Sequence, residues 1–300
     1  MLFRSTLFHH LSGHRAVASM AMENDGVAVL FSRGDRHTLV AWTWQWNSPE
    51  VLVGLYAGER AAAVELSGLV RPLERDGSLS LVPLSSVPIV VTDVDAPLLL
   101  LQDSVRVEPA YIQSHDPEPR PVLKMRNHYN RQLAGQIVML PPRGWNVSPN
   151  PISFDLGPGQ DFEQTLDFMI PPRQVASEQL LGVDLHLRQP ELQDLHVDVP
   201  LHVELRDIVV RGLAWWDGND LVVEQTLHNL SLRPVSFDAS CQVPNRARAE
   251  GAFLEVAPGD VAVQRYRFPS ARDIAGGRAW IAIQEIDGPR TLDHLVSIPR

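Results

Sequence analysis

An order of motifs that occurs twice in the second half of the chain constrains its fold more than any other feature. Each copy has an alternating apolar strand ending in Asn, a second strand, a turn containing Pro-Gly, and a later strand closed by Pro. The copies lie about a hundred residues apart, and the first runs from Val122 to Val203. The corresponding positions are Asn127 and Asn229, Gly157-Pro158-Gly159 and Ala257-Pro258-Gly259, and Met169-Ile170-Pro171 and Arg267-Phe268-Pro269. The repeat predicts two related domains.

The residues inside each copy favour β-sandwiches. Val199, Leu201 and Val203 alternate with polar residues, which gives a strand one face for a core. Gly159 and Gly259 follow Pro at a turn position where positive φ is needed, and glycine adopts positive φ without steric cost. Short strands separated by Pro and Gly turns are typical of antiparallel immunoglobulin-like sandwiches.

The first hundred residues also consist mainly of strand patterns. A short helix over residues 1–13 is expected, because apolar residues recur at helical spacing before Ser12-Gly13. Alternating or continuous apolar segments follow at 16–21, 26–32, 38–46, 51–56, 62–66, 78–82 and 88–92.

The resulting fold prediction is all-β: tandem immunoglobulin-like antiparallel β-sandwiches with a short N-terminal helix. A Pro-rich segment with few apolar residues separates the first strand region from the repeat and is predicted to be a linker. The predicted units are a helix at 1–13, a sandwich at 14–107, a linker at 108–121, and further sandwiches at 122–206 and 207–300.

Composition excludes several classes of function. The chain has 300 residues and a formal net charge of −10, and a nucleic-acid surface would need clustered Lys and Arg. The single Cys241 excludes an intrachain disulfide and a thiolate zinc site, and it is predicted to be buried and inert. No apolar run approaches the roughly 20 residues of a membrane helix, so no membrane partner is expected.

The start of the chain has no segment of signal-peptide type, because Arg and His residues interrupt its apolar stretch. Taken literally, this predicts a cytoplasmic protein. The prediction changes to extracellular or periplasmic if the chain is a fragment of a secreted enzyme.

No catalytic, metal or cofactor site is predicted. Pairs of acidic residues occur at even spacing, which favours solvated sheet faces over the carboxyl pair of a glycosidase: Asp93 and Asp95, Asp194 and Asp198, Glu285 and Asp287. The histidines lack a convincing metal-ligand spacing, both in the group His9, His10 and His14 and in the group His186, His196 and His202.

Tryptophans supply the candidate binding residues. Trp42, Trp44 and Trp46 have the spacing that places side chains on one face of a strand. Core packing is the favoured interpretation, with Trp42 the most surely buried, because tryptophan buries a large area. The alternative is a carbohydrate-binding platform formed by Trp44 and Trp46.

A second candidate lies in the last domain. Trp215 and Trp216 are adjacent, so one of them must lie on each side of a strand. Asp217 and Asn219 beside them could bind the hydroxyl groups of a carbohydrate.

Two stretches resemble parts of carbohydrate-active enzymes. The segment NHYNRQLAGQIVMLPPRGW with SFDLGPGQ and FMIPP, within residues 127–172, resembles the NEW3 modules associated with alpha-galactosidases and found beside bacterial glycoside hydrolase and surface-protein domains. Residues 7–95 are similar to the junction behind a glycoside hydrolase barrel, which has a last helix, a strand pair ending in Trp and a closing sandwich. The stretches that carry this resemblance are LFHHLSGHRAV, VAVLFSRGDRHTLVAWTW and SLSLVPLSSVPIVVTDVD.

The resemblance implies a non-catalytic accessory region that packs against or spaces a glycosidase barrel, with possible contact to a polysaccharide. The alternative hypothesis is a structural or adhesive protein that binds another protein through its sheet edges. A self-sufficient hydrolase is disfavoured, because no acid/base pair or nucleophile stands out.

Overall fold

The computed structural model describes residues 9–46, 49–65, 67–114, 116, 118–171, 175–190 and 192–300. The all-β prediction is confirmed, because antiparallel strands form three successive immunoglobulin-like β-sandwiches. Residues 9–11 are helical, and residues 1–8 of the predicted N-terminal helix lie outside the described residues.

The first sandwich packs a six-stranded sheet, in the order β1-β2-β3-β9-β5-β6, on a three-stranded sheet in the order β4-β8-β7. Each predicted strand segment overlaps one of these elements, although the segment 38–46 extends beyond β3, which ends at Thr43. The strands are β1 (Arg15–Met22), β2 (Gly26–Arg33), β3 (Arg36–Thr43), β4 (Val51–Leu55), β5 (Ala62–Val64), β6 (Val70–Pro72), β7 (Glu74–Asp76), β8 (Leu79–Leu84) and β9 (Ile89–Thr92).

A helix that the sequence patterns do not predict joins the first two sandwiches. Helix α1 (Ala96–Ser104) begins after Asp95, whose Oδ1 accepts a hydrogen bond from the backbone N–H of Leu98 at 3.1 Å. Leu99 packs into the core of the first sandwich, whereas Leu98 and Leu101 pack into the core of the second. Because both sides of α1 are apolar, it lacks the polar face that would show helical periodicity.

The second sandwich uses part of the segment predicted as a linker. Its sheets have the orders β10-β12-β16, β11-β19-β18-β13-β15 and β14-β17. Strand β11 lies inside residues 108–121 and pairs in parallel with the end of β19. The strands are β10 (Arg106–Glu108), β11 (Tyr111–Gln113), β12 (Val122–Arg126), β13 (Leu133–Leu140), β14 (Asn146–Ser148), β15 (Ile152–Leu156), β16 (Asp161–Thr165), β17 (Asp167–Met169), β18 (Ser177–Gln189) and β19 (Gln193–Glu204).

The third sandwich repeats the arrangement of the second. Its sheets have the orders β20-β21-β24 and β23-β22-β25-β26, so that β22 lies between β23 and β25 as β13 lies between β15 and β18. A 3₁₀ turn occupies Arg272–Ile274. The strands are β20 (Ile208–Asp217), β21 (Asp220–Asn229), β22 (Val235–Gln242), β23 (Ala249–Val256), β24 (Val261–Phe268), β25 (Arg278–Glu285) and β26 (Thr291–Ser297).

The paired asparagines of the repeat have the same structural role. Asn127 is 0% exposed, and its side-chain amide nitrogen lies 2.9–3.0 Å from the carbonyl oxygens of Arg131, Leu156 and Gly157. Its own carbonyl accepts the backbone N–H of Gly159, which has φ +69°. One side chain therefore connects the strand end, the following loop and the Pro-Gly turn.

Asn229 makes the corresponding contacts in the third sandwich. Its side-chain nitrogen donates to the carbonyl oxygens of Arg233 and Val256, each at 2.8 Å. The carbonyl oxygen of Asn229 accepts the N–H of Gly259, which has φ +80°. The repeat seen in the sequence is thus a repeat of one hydrogen-bonding motif.

A buried arginine of the third sandwich binds the segment that connects it to the second sandwich. Arg290 is buried and forms two contacts with the carboxylate of Glu285, one of them from Nε to Oε2 at 2.9 Å. It also donates through Nη1 to Asp207 at 2.8 Å, in the segment between β19 and β20. The guanidinium beside Glu285 lowers the pKa of that carboxyl group. Charge-assisted hydrogen bonds therefore hold this connecting segment against the third sandwich.

We predict that Asn127→Ala destabilises the protein by about 2–3 kcal/mol in the free energy of unfolding, because buried carbonyl groups lose their donor. Urea unfolding of the full chain measures the change. Asn130→Ala, at an exposed position three residues on in the same loop, is the control and should cost no more than about 0.5 kcal/mol. Equal stability of the two variants would contradict the role assigned to Asn127.

Candidate binding surfaces

Trp44 and Trp46 lie at one end of the first sandwich and are largely exposed. Strand β3 ends at Thr43, so Trp44 and Trp46 follow the strand, with exposed fractions of 67% and 86%. The core-packing interpretation is therefore wrong for both residues. Residues spaced by two share a face only within a strand, and β3 ends before Trp44.

Trp42 is half-buried on the outer face of the six-stranded sheet. It is paired with Val27 in the register, next to Val40, and its ring lies 5.9 Å from that of Trp44 at an interplanar angle of 82°. Leu30 lies in the core on the opposite face of the sheet, so it does not share a face with Val40 and Trp42. We refer to Val27, Trp42, Trp44 and Trp46 as the tryptophan surface.

The tryptophan surface lies beside the edge strand of the three-stranded sheet. Strand β4 is the edge strand of the three-stranded sheet and begins at Val51, shortly after Trp46. Leu52 on this strand is exposed. The carbonyl of Ser85, which leads from β8 to β9, accepts the N–H of Thr43 at 2.9 Å and brings this loop to the same end of the sandwich. The exposed apolar side chains and the edge strand β4 thus lie at the same end of the sandwich.

The second candidate group is largely engaged in contacts within the third sandwich. Trp215 is half-buried, and Trp216 donates through Nε1 to the carbonyl of Pro299 at 3.1 Å. The guanidinium of Arg272 lies 4.4 Å from the centre of the Trp216 ring. Asp217 accepts from Arg267 at 2.8 Å, and the backbone carbonyl of Asn219 accepts from Ala271 at 2.9 Å. Because Trp216 and Asp217 already make these contacts, less of their surface and fewer of their hydrogen-bonding groups are available to a ligand.

A cavity lies elsewhere, on the outer face of the sheet β23-β22-β25-β26. It has a volume of about 530 Å³. Its floor contains the small residues Ser240 and Ala282, which are paired in the register. Trp280 rises on one side of this row and Gln284 on the other. We refer to this cavity as the Trp280 groove.

Charged side chains of β22 and β23 line the Trp280 groove as well. Arg248 donates to the hydroxyl of Ser240 at 2.7 Å, and Asp238 and Glu250 are exposed. Sequence reasoning did not select Trp280. A signal was present, because Ala279, Ile281 and Ile283 occupy the alternate positions that face the core and thus place Trp280 on the opposite face.

The acidic pairs found in the sequence have structural partners. Asp95 caps α1, and Glu285 binds Arg290. Asp194 lies 2.7 Å from Nδ1 of His186 on the β18–β19 hairpin. One carboxylate of each pair thus has a structural partner in the fold.

His196 on the same hairpin lies between two carboxylates. Its Nδ1 is 2.6 Å from Asp184, and its Nε2 is 3.3 Å from Asp198. The hydrogen bond with Asp184 is the main cause that raises the pKa of His196. The backbone N–H of His196 also donates to the hydroxyl of Tyr56 at 2.7 Å, so this position contacts the first sandwich.

Within the part of the chain that the structure describes, no group of three or more His, Cys, Asp or Glu side chains is placed to hold a metal ion. None of the helices among the described residues is both long and apolar enough to cross a membrane. Cys241 is buried, as predicted, and burial raises the pKa of its thiol to about 12.

We predict that Asp184→Asn lowers the pKa of His196, as measured by an NMR titration of the imidazole. Because the folded-state pKa is raised, the stabilisation from this pair is present below the unfolded value of about 6.5 and is lost as the pH rises through the folded value. The variant should therefore lose more stability at pH 5.5 than at pH 8. Asp155→Asn, on the edge strand β15, is the control, and an unchanged His196 pKa in Asp184→Asn would refute the assignment.

Comparison with protein-family models found no match to this chain, and comparison with curated proteins found none either. Among solved structures, the CupB2 chaperone of Pseudomonas aeruginosa is similar at 12% identity and a TM-score of 0.24, over 63% of this chain and 98% of that one. The secreted serine protease VesC from Vibrio cholerae is similar at 12% identity and a TM-score of 0.30, over 68% and 55%. TM-scores this low do not support an inference about function.

Proposed function

We propose that this chain is a non-catalytic β-sandwich protein that binds another protein domain through the tryptophan surface of its first sandwich. The observation that carries the proposal is the exposure of Trp44 and Trp46 next to the half-buried Trp42. Tryptophan is among the residues most enriched at the energetic centres of protein interfaces. Exposed apolar surface at one end of a sandwich is accordingly explained by a partner that covers it.

The geometry of the rings favours a protein partner over a polysaccharide at this surface. The planes of Trp42 and Trp44 meet at 82°, so Trp42 does not continue the face of Trp44 as a flat platform for successive sugar rings. An irregular apolar surface instead suits the side chains of a protein. The exposed edge of β4 beside Trp46 offers backbone groups to the same partner, as the hypothesis of sheet-edge binding requires.

The resemblance to glycoside hydrolase accessory regions suggests which domain the partner is. The stretches that carry it include Trp42 and Trp44, and the domain that precedes such a sandwich in those enzymes is the catalytic barrel. Under this proposal the first sandwich docks on a barrel, and the two later sandwiches act as spacers. The NEW3-like identity of the second sandwich stays a prediction.

The test places a photo-crosslinking amino acid at position 44 or 46 of the full chain in the native host. We expect a discrete protein adduct from both positions, identified by mass spectrometry. The matched control is the same amino acid at Leu254, an exposed apolar position on the third sandwich, which should not give this adduct. A barrel-containing glycosidase as the adduct would support the more specific proposal.

The substitution Trp44→Ala with Trp46→Ala provides the second readout. Both side chains are exposed, so we expect unfolding free energy to change by no more than about 0.5 kcal/mol per site, while affinity for the crosslinked partner falls at least about tenfold. Unchanged affinity would refute the proposal. A polysaccharide in place of a protein adduct, with binding lost in the same variant, would assign the surface to carbohydrate.

A further inference from the structure

We propose that the Trp280 groove on the third sandwich is a binding site for a neutral oligosaccharide. This site includes neither the tryptophan surface nor the second candidate group, Trp215, Trp216, Asp217 and Asn219. Its volume of about 530 Å³ lies in the range of roughly 300–1,000 Å³ that is usual for small-ligand sites. The groove arises because the small pair Ser240 and Ala282 lies between rows of larger side chains.

The position of the groove excludes recognition by strand addition. Its floor is formed by β22 and β25, which are the two central strands of the sheet β23-β22-β25-β26. Their backbone groups are used by neighbouring strands on both sides. A ligand in the groove must therefore be recognised by side chains, which disfavours an extended peptide.

The polar side chains of the groove combine donors and acceptors. Arg248 supplies guanidinium donors and is held in place by its hydrogen bond to Ser240 at 2.7 Å. The carboxylates of Asp238 and Glu250 supply acceptors on the same surface. Sugar hydroxyls both donate and accept hydrogen bonds, so a polyhydroxylated ligand matches such a mixture.

The indole of Trp280 supplies the apolar contact that such a ligand needs. Trp280 is 38% exposed and lines the groove, and its neighbour in the register, Leu295, is also exposed. The C–H face of a pyranose ring can pack on an indole while its hydroxyls reach the polar residues. One aromatic side chain beside many polar groups is suited to a sugar and is too little apolar surface for an amphipathic helix.

The charge of the groove favours a neutral sugar. One guanidinium, that of Arg248, is set against the exposed carboxylates of Asp238 and Glu250. An anionic polysaccharide would bring further negative charge next to these carboxylates. The net charge of the chain, −10, also disfavours the binding of an anionic polysaccharide.

The test is isothermal titration calorimetry of the full chain with cellohexaose, xylohexaose, mannohexaose and maltohexaose, and with a polygalacturonate hexamer as the anionic comparison. We expect at least one neutral hexasaccharide to bind. Trp280→Ala should raise its Kd at least about tenfold, and Trp280→Phe should raise it less because an aromatic face remains. Ala282→Gln should weaken binding comparably, because the new side chain fills the floor while Trp280 is unchanged.

Leu69→Ala is the control and should leave the Kd unchanged, because Leu69 is an exposed apolar residue on the first sandwich that belongs neither to the groove nor to the tryptophan surface. Absence of binding by all four neutral probes would overturn the proposal. Wild-type affinity in both Trp280→Ala and Ala282→Gln would also overturn it, as would binding of the polygalacturonate hexamer alone. Circular dichroism of each variant establishes that a loss of affinity is not a loss of fold.

Discussion

The second and third sandwiches depend on one buried amide at the end of a central strand. A strand that stops inside a sandwich leaves the carbonyl groups of the next loop in a site without water, and each unpaired group there costs about 1–3 kcal/mol. The side chains of Asn127 and Asn229 satisfy several such carbonyls, and their backbone carbonyls accept from Gly159 and Gly259. Aspartate would lack the donors, and serine would not reach as many acceptors. The strand end, loop and turn are therefore held as one unit in both domains.

This dependence explains why the repeat could be found in the sequence. A hydrogen-bonding motif that needs an amide at one position and positive φ at another restricts residue type, so Asn127, Asn229 and the turn glycines stay recognisable while the residues between them differ. The alternation of apolar and polar residues in a strand can also be recognised in the sequence, because Val199, Leu201 and Val203 must all face a core. The antiparallel sandwich fold and most strands were therefore accessible from sequence.

Other features could not be predicted because their cause is long-range. Helix α1 is buried between two cores, so Leu98 and Leu99 contact different sandwiches and no polar face marks the helix. Strand β11 exists because β19 offers it an edge from the far side of the domain. Trp44 and Trp46 fit the strand period but lie beyond the point where β3 ends, and only the tertiary structure sets that point. The Trp280 groove depends on the register between β22 and β25, which one strand alone does not encode.

The arrangement of the chain separates two kinds of surface. The tryptophan surface lies on the first sandwich, and the Trp280 groove lies on the third, so two junctions between domains separate them. Leu98, Leu99 and Leu101 of α1 pack into both cores at the first junction, and Arg290 with Glu285 and Asp207 holds the connecting segment at the second. A buried charged residue at such a junction contributes a defined geometry more than it contributes stability, because its desolvation offsets much of the attraction. Under the two proposals, one chain presents a protein-binding surface on its first domain and an oligosaccharide-binding groove on its third.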